Sequence, residues 1–234
     1  FRPMAVKGNF TLNGGTFRIS SNTANCYLIV KGNFAINNNS NIENAGAANA
    51  SGASYIHLAG ATPTFTRSTT STIIATTGNM INIVVNSGTA VSINDNCTID
   101  GGSNVTFTTS AAYTSPTIIG STTSASHLVT VTNSASLVGI QPGMAISGTN
   151  IPANTYVTAV YSSTQLQISK AATGDGTSVT FTVSPAAAIA SSLTVSEGKQ
   201  LTISTAFTHN GTLNLLSSGS GTATIKTPPT ISGT

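Results

Sequence analysis

The octapeptide Val6-Lys7-Gly8-Asn9-Phe10-Thr11-Leu12-Asn13 returns as Val30-Lys31-Gly32-Asn33-Phe34-Ala35-Ile36-Asn37, 24 residues later. In both copies Val, Phe and Leu or Ile stand out against small and polar neighbours, which is the period-2 pattern of a strand rather than a helical stripe. A period in the low twenties with two or three short strands is what one coil of a parallel β-solenoid requires. Such a coil cannot bury its inner face alone, so it stacks on the next. A β-sandwich of hairpins is the rival arrangement, because regularly spaced strands and turns suit it as well.

Further strand-like runs follow at Tyr55-Ile56-His57-Leu58, Ile81-Asn82-Ile83-Val84-Val85, Ala90-Val91-Ser92-Ile93 and Val105-Thr106-Phe107-Thr108, separated by Gly-, Asn- and Ser-rich turns. Residues 115–184 read differently. His127 to Thr132 alternates cleanly, and Tyr156 to Tyr161, Gln165 to Ser169 and Ser178 to Val183 add short strands, with prolines in the turns. The solenoid style returns at Ser192-Leu193-Thr194-Val195, Gln200-Leu201-Thr202-Ile203, Gly211 to Leu215 and Gly221 to Ile225. The expected fold class is therefore all-β. Solenoid coils span 1–114, a small antiparallel barrel or sandwich is inserted over 115–184, and the solenoid continues over 185–234. The insert is expected to project sideways. Phe10, Leu12, Phe34, Ile36, Ile83, Val85, Leu201 and Ile203 are the expected inner positions.

Composition supports this reading. Charged residues make up 6% of the chain, against about a quarter in an ordinary globular protein, and Thr, Ser and Asn take their place. A net charge of +3 with 39% hydrophobic residues excludes charge-driven disorder. Apolar runs are too short for a membrane-spanning helix. The basic residues Lys7, Arg18, Lys31, Arg67, Lys170, Lys199 and Lys226 are scattered, which argues against nucleic acid as a partner. Position 1 is not Met and no charged segment followed by an apolar one opens the chain, so it reads as a mature or excised portion of a longer polypeptide. Cys26 and Cys97 are too far apart for a Cys-x-x-Cys cluster, and either two buried thiols or one long-loop disulfide suits them.

The phrases Gly8-Asn9-Phe10-Thr11-Leu12-Asn13-Gly14-Gly15-Thr16-Phe17 and Gly198-Lys199-Gln200-Leu201-Thr202-Ile203, with Asn210-Gly211-Thr212-Leu213, resemble the β-helical modules of very large secreted surface proteins of Bacteroidota. Those proteins are commonly exported by the type IX secretion system and include adhesins. The segment 116–183, with Gly148-Thr149-Asn150-Ile151-Pro152-Ala153-Asn154-Thr155, is similar to small β-modules of bacterial surface proteins and phage tail proteins. The resemblance implies an extracellular structural role at a bacterial cell surface. Its implied partners are other copies or further modules of the same long polypeptide, and surface glycans, without direct membrane insertion.

Chemistry-bearing residues are few. Many solenoids cleave polysaccharides with paired carboxylates, but the acids here are Glu43, Asp95, Asp100, Asp175 and Glu197, and only Asp95 and Asp100 lie close in sequence, in turn contexts. His57, His127 and His209 lack metal-ligand spacing, and Gly14-Gly15 and Gly101-Gly102 lack the helix and basic context of a phosphate loop. No catalytic residue, cofactor or metal is expected. The tract Thr62 to Thr72 is the one run with the look of a contact surface, with Thr64, Thr66, Arg67, Thr69 and Thr70 as candidate contacts. A carbohydrate- or ice-binding module, a phage tail fibre segment and a polysaccharide-degrading enzyme are the alternative readings.

Overall fold

The computed structural model describes residues 3–19, 25–44, 53–75, 79–99, 104–114, 116–133, 137–187, 189–203, 206–215 and 224–226. The chain winds in coils of three short strands. The first coil holds β1 (Met4–Val6), β2 (Phe10–Asn13) and β3 (Thr16–Arg18), and the second β4 (Cys26–Val30), β5 (Phe34–Asn37) and β6 (Asn41–Asn44). The third holds β7 (Ala53–Leu58), β8 (Phe65–Arg67) and β9 (Thr72–Ala75), and the fourth β10 (Met80–Val85), β11 (Ala90–Ile93) and β12 (Cys97–Ile99). The fifth opens with β13 (Val105–Thr109). It is then interrupted by β14 (Ile118–Thr122), β15 (Leu128–Val131), β16 (Ala145–Gly148), β17 (Thr155–Ser162), β18 (Gln165–Ile168) and β19 (Gly176–Ser184), and resumes with β20 (Ser192–Val195) and β21 (Gln200–Ile203). The sixth holds β22 (Ala206–His209), β23 (Thr212–Leu215) and β24 (Thr224–Lys226).

Equivalent strands of successive coils pair in parallel, except between the third and fourth coils, where only β7 and β10 form a ladder and Thr64 and Ser92 add an isolated bridge, so the fold is a β-solenoid and not a sandwich of hairpins. One face is a six-stranded sheet, β1-β4-β7-β10-β13-β22. The other two faces are each built from two three-stranded sheets, β2-β5-β8 and β11-β20-β23 on one, β3-β6-β9 and β12-β21-β24 on the other. The 24-residue echo is the register of the first two coils, with Phe10 over Phe34 and Leu12 over Ile36.

The repeated residues have specific uses. The side-chain oxygen of Asn9 accepts the backbone N–H of Asn33 at 2.9 Å, and Asn33 does the same for Thr64 at 2.9 Å. These amides satisfy corner donors that lie outside the sheet ladders. Gly32 sits so tightly over Gly8 that a Cβ would lie 2.5 Å from the Gly8 carbonyl carbon. Alternation sends every second side chain inward. Phe34, Ile36, Ile83, Val85, Leu201 and Ile203 are fully buried, while Phe10 and Leu12 of the first coil are partly buried against the same core. Phe10, Phe34 and Phe65 stack with centroids 5.3 and 5.2 Å apart.

Phe65 belongs to the tract expected to be a contact surface, and its neighbour Arg67 corrects that expectation. Two positions apart on one strand, both point inward, and Arg67 is 3% exposed, opposite Ile36 in the ladder. Its guanidinium donates through Nη1 to the carbonyl oxygen of Thr98. Thr64 and Thr66 remain half-buried on the outer side, and Thr69 and Thr70 are exposed in the turn before β9.

The insert is a closed antiparallel barrel in the order β14-β15-β18-β17-β16-β19. It has its own core, including Ile118, Val129, Ile146, Val157, Leu166, Phe181 and Val183. Cys26 and Cys97 are buried thiols on different strands, not halves of one disulfide. Asp100 and Gly101-Gly102 lie outside the described residues.

Candidate functional site

The barrel does not stand away from the solenoid. It folds back onto the outer side of the six-stranded sheet, which overturns the expectation of a sideways projection. On that outer side Ile29 pairs with His57 across β4 and β7, and burial there is nearly complete, at 0% and 5% exposed. The cover is the loop Gln141-Pro142-Gly143. Gly143 has a φ of 99°, and a Cβ there would lie 2.5 Å from the Ala59 Cβ and 3.1 Å from Ile29 Cγ2. Glycine is therefore required twice over, by the backbone angle and by the closeness of approach.

Polar groups fix this contact. Nδ1 of His57 lies 2.8 Å from Oδ1 of Asn86, whose Nδ2 donates to the Pro142 carbonyl oxygen at 2.7 Å. The amide oxygen accepts, so His57 carries its proton on Nδ1. Desolvation by burial lowers its pKa to about 4, opposed in part by the Asn86 hydrogen bond. The backbone N–H of Ser87 donates to Oε1 of Gln141 at 2.9 Å, and Nε2 of Gln141 donates to Oγ of Ser110 at 2.7 Å. On the far side, Ile189 O accepts from the Gly88 N–H at 2.8 Å and the Ser87 hydroxyl at 3.2 Å. Lys31 places its ammonium 4.4 Å from the centroid of Tyr156, a cation–π contact between coil corner and barrel strand. Burial and the nearby Lys7 lower the Lys31 pKa.

Where coil corner, barrel loop and departing chain meet, they leave a cleft of about 310 Å³. Thr108 and Asn210 line it from the solenoid, Ser110 and Tyr113 from the departing chain, and Gln141 from the docking loop. Among the described residues, no Lys, Arg, His, Asp or Glu lines it.

The other chemistry-bearing residues do not converge. Glu43 lies 3.2 Å from Arg18 on an outer face, and Asp95 lies 3.6 Å from Lys199. Asp175 accepts the Ser124 backbone N–H at 2.8 Å in a barrel turn. His209 shares a 2.8 Å hydrogen bond with the Thr109 hydroxyl inside the solenoid, where desolvation lowers its pKa. His127 lies 2.9 Å from the Ile168 carbonyl oxygen in the barrel. Among the described residues, no three His, Cys, Asp or Glu side chains gather as metal ligands, and no helix is long and apolar enough to cross a membrane. The outward threonines form no regular array either. One row reads Thr11, Ala35, Thr66 and another Thr16, Asn41, Thr72.

Sequence reasoning missed the cleft and the docking face. Ser110, Gln141 and Asn210 are ordinary turn residues until the barrel docks. The only signal was the turn chemistry of Gln141-Pro142-Gly143. No protein-family model, curated protein or solved structure matches the chain.

Proposed function

We propose that this chain is a non-enzymatic extracellular structural protein, a β-helical segment of a bacterial cell-surface adhesin or filament that acts as a stiff stalk and contact surface. The observation that carries the reading is the sheet β1-β4-β7-β10-β13-β22, which runs in parallel through all six described coils without a break. A continuous ladder ties each coil to the next and leaves little backbone in the conformation proteases bind. The barrel docked on its outer side adds a second bracing layer.

Charge scarcity supports the same reading. A surface with few ions has little long-range attraction for nucleic acid or anionic membranes. Glu43, Asp95 and Asp175 each hold structural partners, which favours a non-enzymatic role. The partners are other copies or further modules of the same long polypeptide, and surface glycans.

Electron microscopy of native material, with antibodies against the barrel, tests the proposal. Label on rods or fibres outside the cell envelope is the expected result. Label confined to the cytoplasm overturns it.

A further inference from the structure

We infer that the cleft between barrel and coils binds an uncharged polyhydroxylated ligand, a single neutral sugar residue of a glycan. At about 310 Å³ the cleft falls within the range of small-molecule sites, and it lies at the boundary between two structural units, where such sites concentrate. Its size suits one sugar ring.

The available hydrogen-bonding groups decide the chemistry. The Thr108 hydroxyl and the Asn210 side-chain amide make no hydrogen bond among the described residues. Ser110 Oγ accepts from Gln141, which leaves the hydroxyl proton free to donate. An amide presents one acceptor and two donors, and neighbouring sugar hydroxyls offer both complements. Ala112 and the ring of Tyr113 supply apolar surface for the C–H face of a sugar. With no ionised side chain among the described lining residues, a charged ligand would lose hydration without compensation. Gln141 is held by Ser87 and Ser110 before any ligand arrives, so its position costs no ordering on binding. The inference gives the proposed glycan partner a site on this chain, and because binding is measured on the chain alone, its failure leaves the stalk role standing.

The test is NMR of the whole chain with glucose, galactose, mannose or N-acetylglucosamine, each at about 10 mM, above the millimolar Kd that a few neutral hydrogen bonds support. At least one sugar should shift the backbone amides of Ser110, Tyr113, Gln141 and Asn210, and glucuronate should not. Asn210→Ala and Thr108→Val, both outside the core, should each weaken binding about tenfold. Ala112→Trp fills the cleft without removing a hydrogen bond and should abolish the shifts while the rest of the spectrum is kept. If none of the four sugars moves these amides, if glucuronate moves them equally, or if Ala112→Trp leaves the shifts intact, the inference is overturned.

Discussion

The backbone N–H of Ser191 donates to the carbonyl oxygen of Ser110 at 2.8 Å, and the Ser191 hydroxyl closes a second bond to the same oxygen at 2.8 Å. The Ser110 N–H returns the contact to Ser191 Oγ at 2.7 Å. These residues stand 81 positions apart and yet occupy one solenoid corner. Thr212 donates its N–H to Ser191 O, and Asn210 donates to Thr109 O, so the Ser110–Ser191 pair lies beneath the Asn210-Gly211 corner of the next coil. The barrel is thus an insertion into a two-residue turn.

Removing residues 111–190 and joining Ser110 to Ser191 should leave a foldable solenoid with the same corner that Asn210-Gly211 makes. Circular dichroism should retain β-signal and a cooperative melt. Loss of all ordered structure would show that the coils need the barrel to fold. Ile29 and His57 become exposed in this variant, so reduced stability is expected even when the fold survives.

Phe34→Ala should destabilise the coil stack by about 3 to 5 kcal/mol, because Phe34 is fully buried between two aromatic neighbours. Chemical denaturation followed by hydrogen exchange separates the two cores: β4 and β5 amides should lose protection, and β17 and β18 amides should keep it. An unchanged midpoint would contradict the stacking register.

Arg67→Ala should cost roughly 2 to 4 kcal/mol, through lost packing and the lost bond to Thr98 O. Thr69→Ala, in the exposed turn, should stay within about 0.5 kcal/mol of the parent. Equal effects in urea denaturation would mean that Arg67 is not an inward residue.

Acid should loosen the docked barrel through His57. Its folded pKa of about 4 lies below the ordinary 6.5, so the unfolded or undocked state binds the proton more readily. Stability from this group is fully present above about pH 6.5 and declines as pH falls toward 4, with a limiting loss of about 3 kcal/mol. Among the described residues, the groups recorded against the ring are Asn86 and the Tyr27 and Tyr55 rings, the latter two with centroids at 6.0 Å. Exchange of the Ser87 and Gly88 amides, which bond to the barrel side, should accelerate across this window and stay flat in His57→Gln. Flat exchange in the parent would refute the coupling.

Much of the fold was legible in particular residues. The Asn9 and Asn33 amides and the Gly8 and Gly32 corners act through local geometry that the first two coils share, so this pair of coils announced itself. Ser192 to Val195 and Gln200 to Ile203 are strands from first residue to last, because their alternation is undisturbed. Phe65 was hidden, since it follows Phe34 by 31 residues instead of 24. Lengthening a corner costs little entropy, so coil length drifts while the ladder holds.

The amino-acid sequence alone determined the inward and outward alternation, the polar corners and the two strand styles, because these depend on neighbours a few positions away. Tertiary structure alone decided that Ile29 and His57, both outward on their strands, are buried, and that Ser110, Gln141 and Asn210 meet around a cleft. Those outcomes depend on where a separately folded barrel comes to rest, and that position is set by shape and hydrogen bonds between segments more than fifty residues apart.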